Sequence, residues 1–492
     1  MQNNRFFFTQ LTKMGLQLLL YVSLFAIFFS ILSMNNYQMM NLSRTAAITM
    51  ATFAVLMLIL TFVYGGFEIE HKKFRTVFSS ILITTLFTDV ITYFQLQVMN
   101  VNAANNPRLI LFGEDFVLLL VAVFFQVCVI YILVSIGYRV YYKINPPQSC
   151  CIITSSQEIA DHVAKKIANR RLKFKLCDVV HYECPDVKDT IRAYDTIFLA
   201  GIPDTEEGAL QLFCYKRHKA IYLLSELEDI IISTSQQYTL DDTPFLYIHR
   251  MEPSLFQLFI KRLIDIVVSL TCLILFSPIM LIAALCIYTS ERKSVFFRQD
   301  RATRHGKVFQ IIKFRTMYER PADKPEECSE QENDLRVTPL GRILRKYRID
   351  ELPQFFNVLR GDMSIVGPRP EMLENVERYE SEVPEFKYRR QMKAGLTGLA
   401  QIDGKYNTTP KDKAILDLLY IENFSLISDL KLIMRTLTIF FRKDSTEAFA
   451  KKSRQIAYPK MRTLPIYPFA DTAHSSADKE NLPSDEKISA AF

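Results

Sequence analysis

Arg348-Ile349-Asp350-Glu351-Leu352-Pro353-Gln354-Phe355-Phe356-Asn357-Val358-Leu359-Arg360-Gly361-Asp362-Met363-Ser364-Ile365-Val366-Gly367-Pro368-Arg369-Pro370 is the stretch from which the rest of the chain can be read. Adjacent carboxylates open it and a Gly-Pro-Arg-Pro turn closes it. Leu352, Phe355, Phe356 and Leu359 recur at i, i+3, i+4, i+7, which predicts one face of a helix. Asp350 stands where an N-cap would stand, and Gly361 where the helix would stop. Arg342, Arg345, Lys346 and Arg348 crowd the approach. An acid pair beside a cationic cluster at a helix N-terminus suits a phosphorylated ligand met through a metal ion. The plainer alternative makes Asp350 only a cap and Glu351 only a first-turn acid that complements the helix dipole. Charges of both signs packed beside an apolar face, with a stiff turn behind them, weigh towards a site.

Working outward, 492 residues are too many for one core and predict two or more domains. Hydrophobic residues make up 49% of the chain and come in blocks, as in a membrane protein with soluble parts. The net charge of +7 is local, which suits a lipid bilayer surface or phosphate ligands. No aromatic-basic motif for nucleic acid is visible. The nine cysteines, with Cys150 and Cys151 adjacent and no C-x-x-C, read as reduced cytosolic thiols without a zinc site. No small-residue cleavage site follows the first apolar run, so it reads as an uncleaved helix.

Apolar runs at Met14–Leu32, Ala46–Tyr64, Val77–Leu96 and Phe116–Tyr138 are each long enough for a bilayer core of about 30 Å. Arg5, Lys13, Lys72, Lys73, Arg75, Arg139 and Lys143 flank one side and only Arg44 and Arg108 the other. Both ends of the predicted bundle therefore face the cytosol. Asp89, inside the third run, is a functional candidate by default, yet an interhelical hydrogen bond, as to Gln126, accounts for it more simply.

After Pro146-Pro147 the chain reads as a small doubly wound α/β module over 146–252. Strands are expected at Cys150–Thr154, Asp195–Ala200, Ala220–Leu224 and Phe245–His249, and a helix near Ile159–Ala168. Thr154-Ser155-Ser156 stands where a dinucleotide site would have glycines, so a scaffold or regulatory role is favoured. A fifth apolar run, Ile266–Tyr288, is interrupted by Ser277-Pro278 and followed by Arg292, Lys293, Arg298, Arg301, Arg304, Lys307, Lys313 and Arg315. A broken helix returning to the same leaflet and a kinked spanning helix both fit.

Lys313 and Arg315 alternate with apolar neighbours and would point one way from a strand. That suits a pyrophosphate, or equally a solvated strand edge. Residues 320–335 form an acidic, Pro-containing loop. Lys393–Gly404 holds three of the 14 glycines, which implies tight turns or close approach to a ligand. Leu416–Phe441 is amphipathic and suits a membrane surface or core packing. Residues 446–492 lack periodicity and read as a disordered polar tail.

Taken together, Lys261-Arg262-Leu263-Ile264-Asp265, Ser277-Pro278, Phe297-Arg298-Gln299, Lys313-Phe314-Arg315-Thr316-Met317, Asp350-Glu351-Leu352-Pro353-Gln354, Gly361-Asp362-Met363-Ser364, Val366-Gly367-Pro368-Arg369-Pro370 and Leu396-Thr397-Gly398-Leu399-Ala400-Gln401 resemble the bacterial sugar transferase family, the polyprenyl-phosphate glycosylphosphotransferases. The resemblance covers about residues 258–442; the N-terminal half is similar to the family's large form by architecture only. The implied fold is a membrane protein of α plus α/β class. It has four transmembrane helices (1–145), a cytosolic Rossmann-like module (146–252) and a mixed α/β catalytic domain (253–445) with a re-entrant helix (262–289) broken at Ser277 and Pro278.

The implied chemistry is transfer of a sugar 1-phosphate from a UDP-sugar to undecaprenyl phosphate at the bacterial inner membrane, with release of UMP. It would initiate surface polysaccharide synthesis. Asp350 would be the nucleophile of a covalent intermediate, and Glu351 would position Mg²⁺. Lys313, Arg315, Arg345, Arg369, Pro368, Gln401 and Arg301 form the implied substrate-binding set, and a homodimer through the α/β module is compatible with it. Carboxylates are competent covalent nucleophiles, and the cations could neutralise a diphosphate in flight. The chain departs from the family pattern at several points. Ala302-Thr303 replaces Val-Gly, Ala394 replaces Pro, Arg348 replaces a small residue, and Glu291-Arg292-Lys293-Ser294 lacks the usual Gly-Pro. The rival readings are a non-catalytic membrane scaffold for a polysaccharide assembly complex, and a transferase moving the sugar without its phosphate, which would release UDP.

Overall fold

The computed structural model describes residues 2–41, 43–103, 114–250, 252–291, 294–318, 336–404, 408–439 and 459–462. The expected acidic loop lies outside these residues, as does most of the expected tail. Two compact units are present, one of residues 1–148, 171–173 and 224–456, the other of 149–170, 174–223 and 457–492.

The first unit opens with α1 (Gln2–Leu32), the short α2 (Tyr37–Met40), α3 (Arg44–Tyr64), α4 (Phe74–Ala103) and α5 (Glu114–Ile144). Long runs of Leu, Ile, Val and Phe make the outer faces of the four long helices apolar, while α4 turns Thr84, Thr85, Thr88, Asp89 and Thr92 inward. Among the described residues five helices are long and apolar enough to cross a membrane, and the fifth begins at Leu255. α1 packs along α5, α3 along α4 and α4 along α5. Phe28, Phe53, Leu24, Leu96 and Ile130 form the core between them. Asp89 is joined across the helices as anticipated: Gln126 Nε2 donates to Asp89 Oδ1 at 3.3 Å and to Leu24 O at 3.1 Å.

The second unit holds β1 (Gln148–Thr154), α6 (Gln157–Ala168), β2 (Phe174–His181), α7 (Val187–Ala193), β3 (Thr196–Ala200), α8 (Asp204–Lys216) and β4 (Ala220–Leu223). The sheet order is β2-β1-β3-β4, with β1–β3 and β3–β4 parallel. Cys151, Ile153, Ile197 and Leu199 fill one side of the sheet; Cys150, Ile152 and Ala160 fill the other.

The expected strand Phe245–His249 is not part of this sheet, and the module closes near residue 223, not 252. β5 (Gln236–Leu240) and β6 (Thr243–Tyr247) instead pair with each other as a hairpin turning at Asp241-Asp242, after α9 (Leu227–Ser233). Nor is the tail wholly without structure. Arg462 N donates to Val179 O at 2.8 Å, and His181 N donates to Arg462 O at 2.9 Å. These bonds add an extended segment to the edge of β2, and Arg462 lies against Asp178, Asp186 and Thr190.

The first unit resumes with α10 (Leu255–Glu291), a helix of 37 residues that runs without interruption through Pro278. Proline deprives the Ile274 carbonyl of its usual donor, and Ser277 Oγ takes that place at 2.8 Å. Then come the antiparallel β7 (Phe296–Ala302) and β8 (Val308–Phe314), α11 (Pro339–Lys346), α12 (Gln354–Arg360), β9 (Ser364–Val366), α13 (Leu373–Glu382), β10 (Gly395–Thr397), α14 (Leu399–Asp403), α15 (Pro410–Glu422) and α16 (Leu426–Ile439). Phe309, Ile311, Phe355, Val358, Ile365 and Leu432 make the core. α16 packs rather than lying free: Leu432 joins that core, and Met434 sits against Leu60, Tyr64 and Ile83 of α3 and α4.

Asp350 does not cap the helix that carries the apolar periodicity. Residues Ile349–Glu351 form a separate 3₁₀ turn, and α12 starts only after Pro353. Arg348 enters the turn in the left-handed region at φ 54°. That residue breaks the chain between α11 and the acid turn, while Pro353, at the N-cap of α12, follows the acids. Phe355 and Val358 are buried, but Phe356 is exposed, so the expected face is rotated. Gly361 ends α12 at φ 92°, the left-handed stop its position implied.

Candidate active site

The motif around Lys261 and Asp265 in α10 is a clamp. Lys261 Nζ donates to Val366 O at 2.9 Å and pairs with Asp429 Oδ2 at 2.5 Å, both partners buried. Asp265 Oδ1 accepts from Ile365 N at 2.8 Å and from Ser364 Oγ at 3.0 Å. Arg262 donates to the last carbonyls of α12, Val358 O at 2.6 Å and Leu359 O at 2.7 Å. A charge-assisted donor at a helix C-terminus satisfies acceptors the helix cannot. One face of α10 thus fixes both α12 and β9, the elements on either side of the Gly361 stop.

β9 and β10 run parallel, and they approach closely because glycines line the contact. A Cβ added at Gly395 would meet Gly367 N at 2.1 Å, and one at Gly398 would meet Gly367 O at 2.3 Å. The glycines of Lys393–Gly404 therefore serve backbone-on-backbone packing, one of the two readings their spacing allowed. The turn that leaves this contact, Gly367–Pro370, brings Arg369 to the acid pair.

Arg369 Nη2 donates to Glu351 Oε1 at 2.9 Å. Lys313 Nζ lies 3.5 Å from the same oxygen, and Arg348 Nη1 lies 3.6 Å from Oε2. Burial alone would raise the Glu351 carboxyl, but Arg369, Lys313 and Arg348 overcome it and hold Glu351 well below the usual carboxylate range. Asp350 is only 9% exposed. Its carboxyl is pushed up to about 6, chiefly by burial and then by its neighbour Glu351, against the pull of Lys313, Arg345 and Arg369. Burial also lowers Lys313. Two adjacent acids are therefore driven apart: Glu351 is a fixed anion, while Asp350 titrates near neutrality.

Arg345 Nε donates to Thr316 Oγ1 at 2.9 Å, which ties α11 to the end of β8 and sets its charge beside Asp350. Arg315 follows Lys313 by two residues on the same line. Arg301 reaches the turn from β7, with Nη1 3.3 Å from Pro370 O. Pro368 O accepts from Gly395 N at 2.8 Å, so its contact is with β10. Gln401, on α14, makes no side-chain hydrogen bond or ion pair with Asp350, Glu351, Lys313 or Arg369 among the described residues, and its Nε2 is buried without a partner. Ser277 and Pro278 lie within α10, far along the chain from the clamp.

Three contributors escaped the sequence reading. Asn357 is fully buried on α12. Its Oδ1 accepts from Ile312 N at 3.0 Å, and its Nδ2 donates to Gln310 O at 2.7 Å. It thereby pins the strand carrying Lys313 to the helix that follows the acids. Arg389 and Asp417 form a second buried pair behind Arg369. Neither pairing leaves a local signal, because the partners are 45 and 28 residues apart.

A sequence model described as Bacterial sugar transferase matches residues 256–443. The chain is 43% identical over 190 residues to a UDP-glucose:undecaprenyl-phosphate glucose-1-phosphate transferase of Caulobacter vibrioides, covering 38% of this chain and 71% of that protein. It is 35% identical over 250 residues to a UDP-N-acetylgalactosamine-undecaprenyl-phosphate N-acetylgalactosaminephosphotransferase of Aeromonas hydrophila, covering 50% and 58%. It is 45% identical over 185 residues to a Klebsiella pneumoniae protein named as the glucose enzyme is, covering 37% and 39%. The chain belongs to the bacterial sugar transferase family and is a transferase.

Proposed function

We propose that this chain transfers a sugar 1-phosphate from a UDP-sugar to undecaprenyl phosphate and so initiates a surface polysaccharide. The carrying observation is the site itself: two adjacent carboxylates with opposed acidities, ringed by Lys313, Arg345, Arg348 and Arg369. An oxygen of the Asp350 carboxylate attacks the β-phosphorus of the donor. The bond from that phosphorus to the bridging oxygen breaks, and UMP leaves with the oxygen and its electron pair. The phosphosugar is then held on Asp350 as an acyl phosphate. A phosphate oxygen of undecaprenyl phosphate attacks the same phosphorus, a new pyrophosphate bond forms, and the carboxylate is returned. Lys313, Arg315, Arg345 and Arg369 meet the charge of the diphosphate.

Glu351, next to Asp350, would hold Mg²⁺. No group of three or more His, Cys, Asp or Glu gathers among the described residues. An ion held by this one carboxylate would draw its remaining ligands from substrate phosphates and water. When bound, the ion would supply further neutralisation of the diphosphate.

In this reading α10 bends at Ser277-Pro278 and returns to the leaflet of the inner membrane that it entered, which keeps the basic segment after it in the cytosol. Residues 149–223 are a Rossmann-like module without a dinucleotide, for the sequence after β1 has no glycine fingerprint. The test is nucleotide release from purified protein with undecaprenyl phosphate, Mg²⁺ and a panel of UDP-sugars, beside Asp350→Asn. UMP released with one sugar and lost in the variant is the expected result and names the donor. Release of UDP would mean glycosyl transfer, and an active Asp350→Asn would remove the covalent route. No release from folded protein would favour the scaffold.

A further inference from the structure

The main chain of Arg369 rests against a buried ion pair. Arg389, 6% exposed, lies in the 3₁₀ segment Pro384–Gln391; Asp417, 1% exposed, lies on α15. Arg389 Nε and Nη2 both reach Asp417 Oδ2, at 2.9 and 2.7 Å. Nη2 also donates to the main-chain oxygen of Arg369 at 2.9 Å, and the guanidinium lies 4.6 Å from the centroid of the Phe386 ring. Nη1 lies 3.8 Å from Glu371 Oε1, which Lys413 Nζ approaches at 3.5 Å. Nε and Nη2 of one planar fork are hydrogen-bonded and Nη1 has an ionic contact, and one partner is the backbone of the residue that holds Glu351. A lysine could supply the charge there but not the fork.

We propose that Arg389, held by Asp417, is a positioning residue for phosphosugar transfer: it fixes the Arg369 backbone so that the Arg369 guanidinium stands at Glu351 and beside the diphosphate. The assignment rests on the function proposed above. Arg389 touches neither acid, so its effect must pass through Arg369. A misplacement on the order of 1 Å of a charge-stabilising group costs about 10²-fold in rate. Arg389→Lys should therefore lower kcat by roughly that factor, with KM for the UDP-sugar much less changed.

The discriminating test is a double-mutant cycle on UMP release by the full chain in detergent. In an Arg369→Ala background, Arg389→Lys should cause no further loss; multiplicative losses would overturn the proposal. Asp417→Asn, which keeps an acceptor, serves if Arg389→Lys does not fold, and should show the same lack of additivity with Arg369→Ala. Thermal unfolding gives a second reading that needs no turnover. Arg389→Lys and Glu351→Gln both weaken the Arg369–Glu351 contact, so their melting shifts should be less than additive. Fully additive shifts would sink the positioning role even if transfer is real. A wild-type protein that releases no UMP would sink the transfer reading, and the thermal cycle would then decide the positioning role by itself.

Discussion

Thr303 and Ala394 are two departures from the family pattern that the structure joins. The pattern has Gly and Pro at these positions. Ala394, unlike Pro, carries an N–H, and both residues are buried. That N–H donates to Thr303 Oγ1 at 3.0 Å, and the same hydroxyl donates to Asp362 O at 3.2 Å. Thr303 sits at φ −121°, which any residue adopts, so nothing local demands glycine. The hydroxyl is the acceptor that a buried amide requires once proline is gone. Thr303→Val keeps the shape and removes the hydroxyl. It strands the Ala394 N–H, at about 1–3 kcal/mol, and takes the Asp362 bond, at about 1 kcal/mol. A total near 3 kcal/mol corresponds to a fall of roughly 6–12 °C in melting temperature for a region of this size. In an Ala394→Pro background there is no N–H to strand, and the same change should cost only about 1 kcal/mol. Thermal unfolding of the four proteins in detergent gives the coupling directly. A Thr303→Val shift of about 1 °C or less, or equal shifts in both backgrounds, would refute the compensation.

Asn357→Asp keeps the acceptor for Ile312 N but turns the donor facing Gln310 O into a second acceptor, so it should destabilise by about 2–3 kcal/mol and reduce transfer; Asn357→Asp melting like the wild type would contradict the pinning role. Lys261→Met leaves Asp429 buried without its cation and should cost about 3–5 kcal/mol, and adding Asp429→Asn should recover part of the loss in a melting assay. Because the Asp350 carboxyl is raised to about 6, it is protonated and unable to attack below that pH. kcat/KM should rise with pH through about 6 and level off above it. The same raised value means the folded chain holds a proton the unfolded chain has lost between pH 3.8 and about 6, so stability falls with rising pH across that window. Asp350→Asn should abolish that fall, as pH-dependent melting would reveal.

The sequence exposed whatever repeats locally. Apolar runs marked the long helices, and short β-branched runs marked β1, β3 and β4. Motif order marked the acid pair and the cations that meet it. It concealed what depends on distant partners. β2, Phe-Lys-Leu-Cys-Asp-Val-Val-His, alternates poorly because its Asp178 serves the edge segment around Arg462, so no period-2 signal survives. Phe245–Tyr247 has strand composition but pairs with its neighbour β5, and composition cannot name a partner. The offset between Asp350 and α12 lies in a separate 3₁₀ turn, Ile349–Glu351, with α12 starting only after Pro353, and an apolar period does not register where such a turn ends. Thr303 and Ala394 each read as an isolated oddity, and only coordinates show that they answer each other.

The bridge that Arg462 makes to the edge of β2 bears on how the molecule is made. Arg462 O accepts from Cys184 Sγ, a partner 278 residues earlier. A ribosome delivers β1, β2, β3 and β4 long before it delivers Arg462. Throughout the synthesis of the transferase region the outer edge of β2 has no cover, the condition under which sheets recruit strands from other chains. The last step in building this unit is the return of a segment that has waited for everything between. Fragments that stop short of residue 459, or fusions that burden the segment beside it, will be felt first at the Val179–His181 edge.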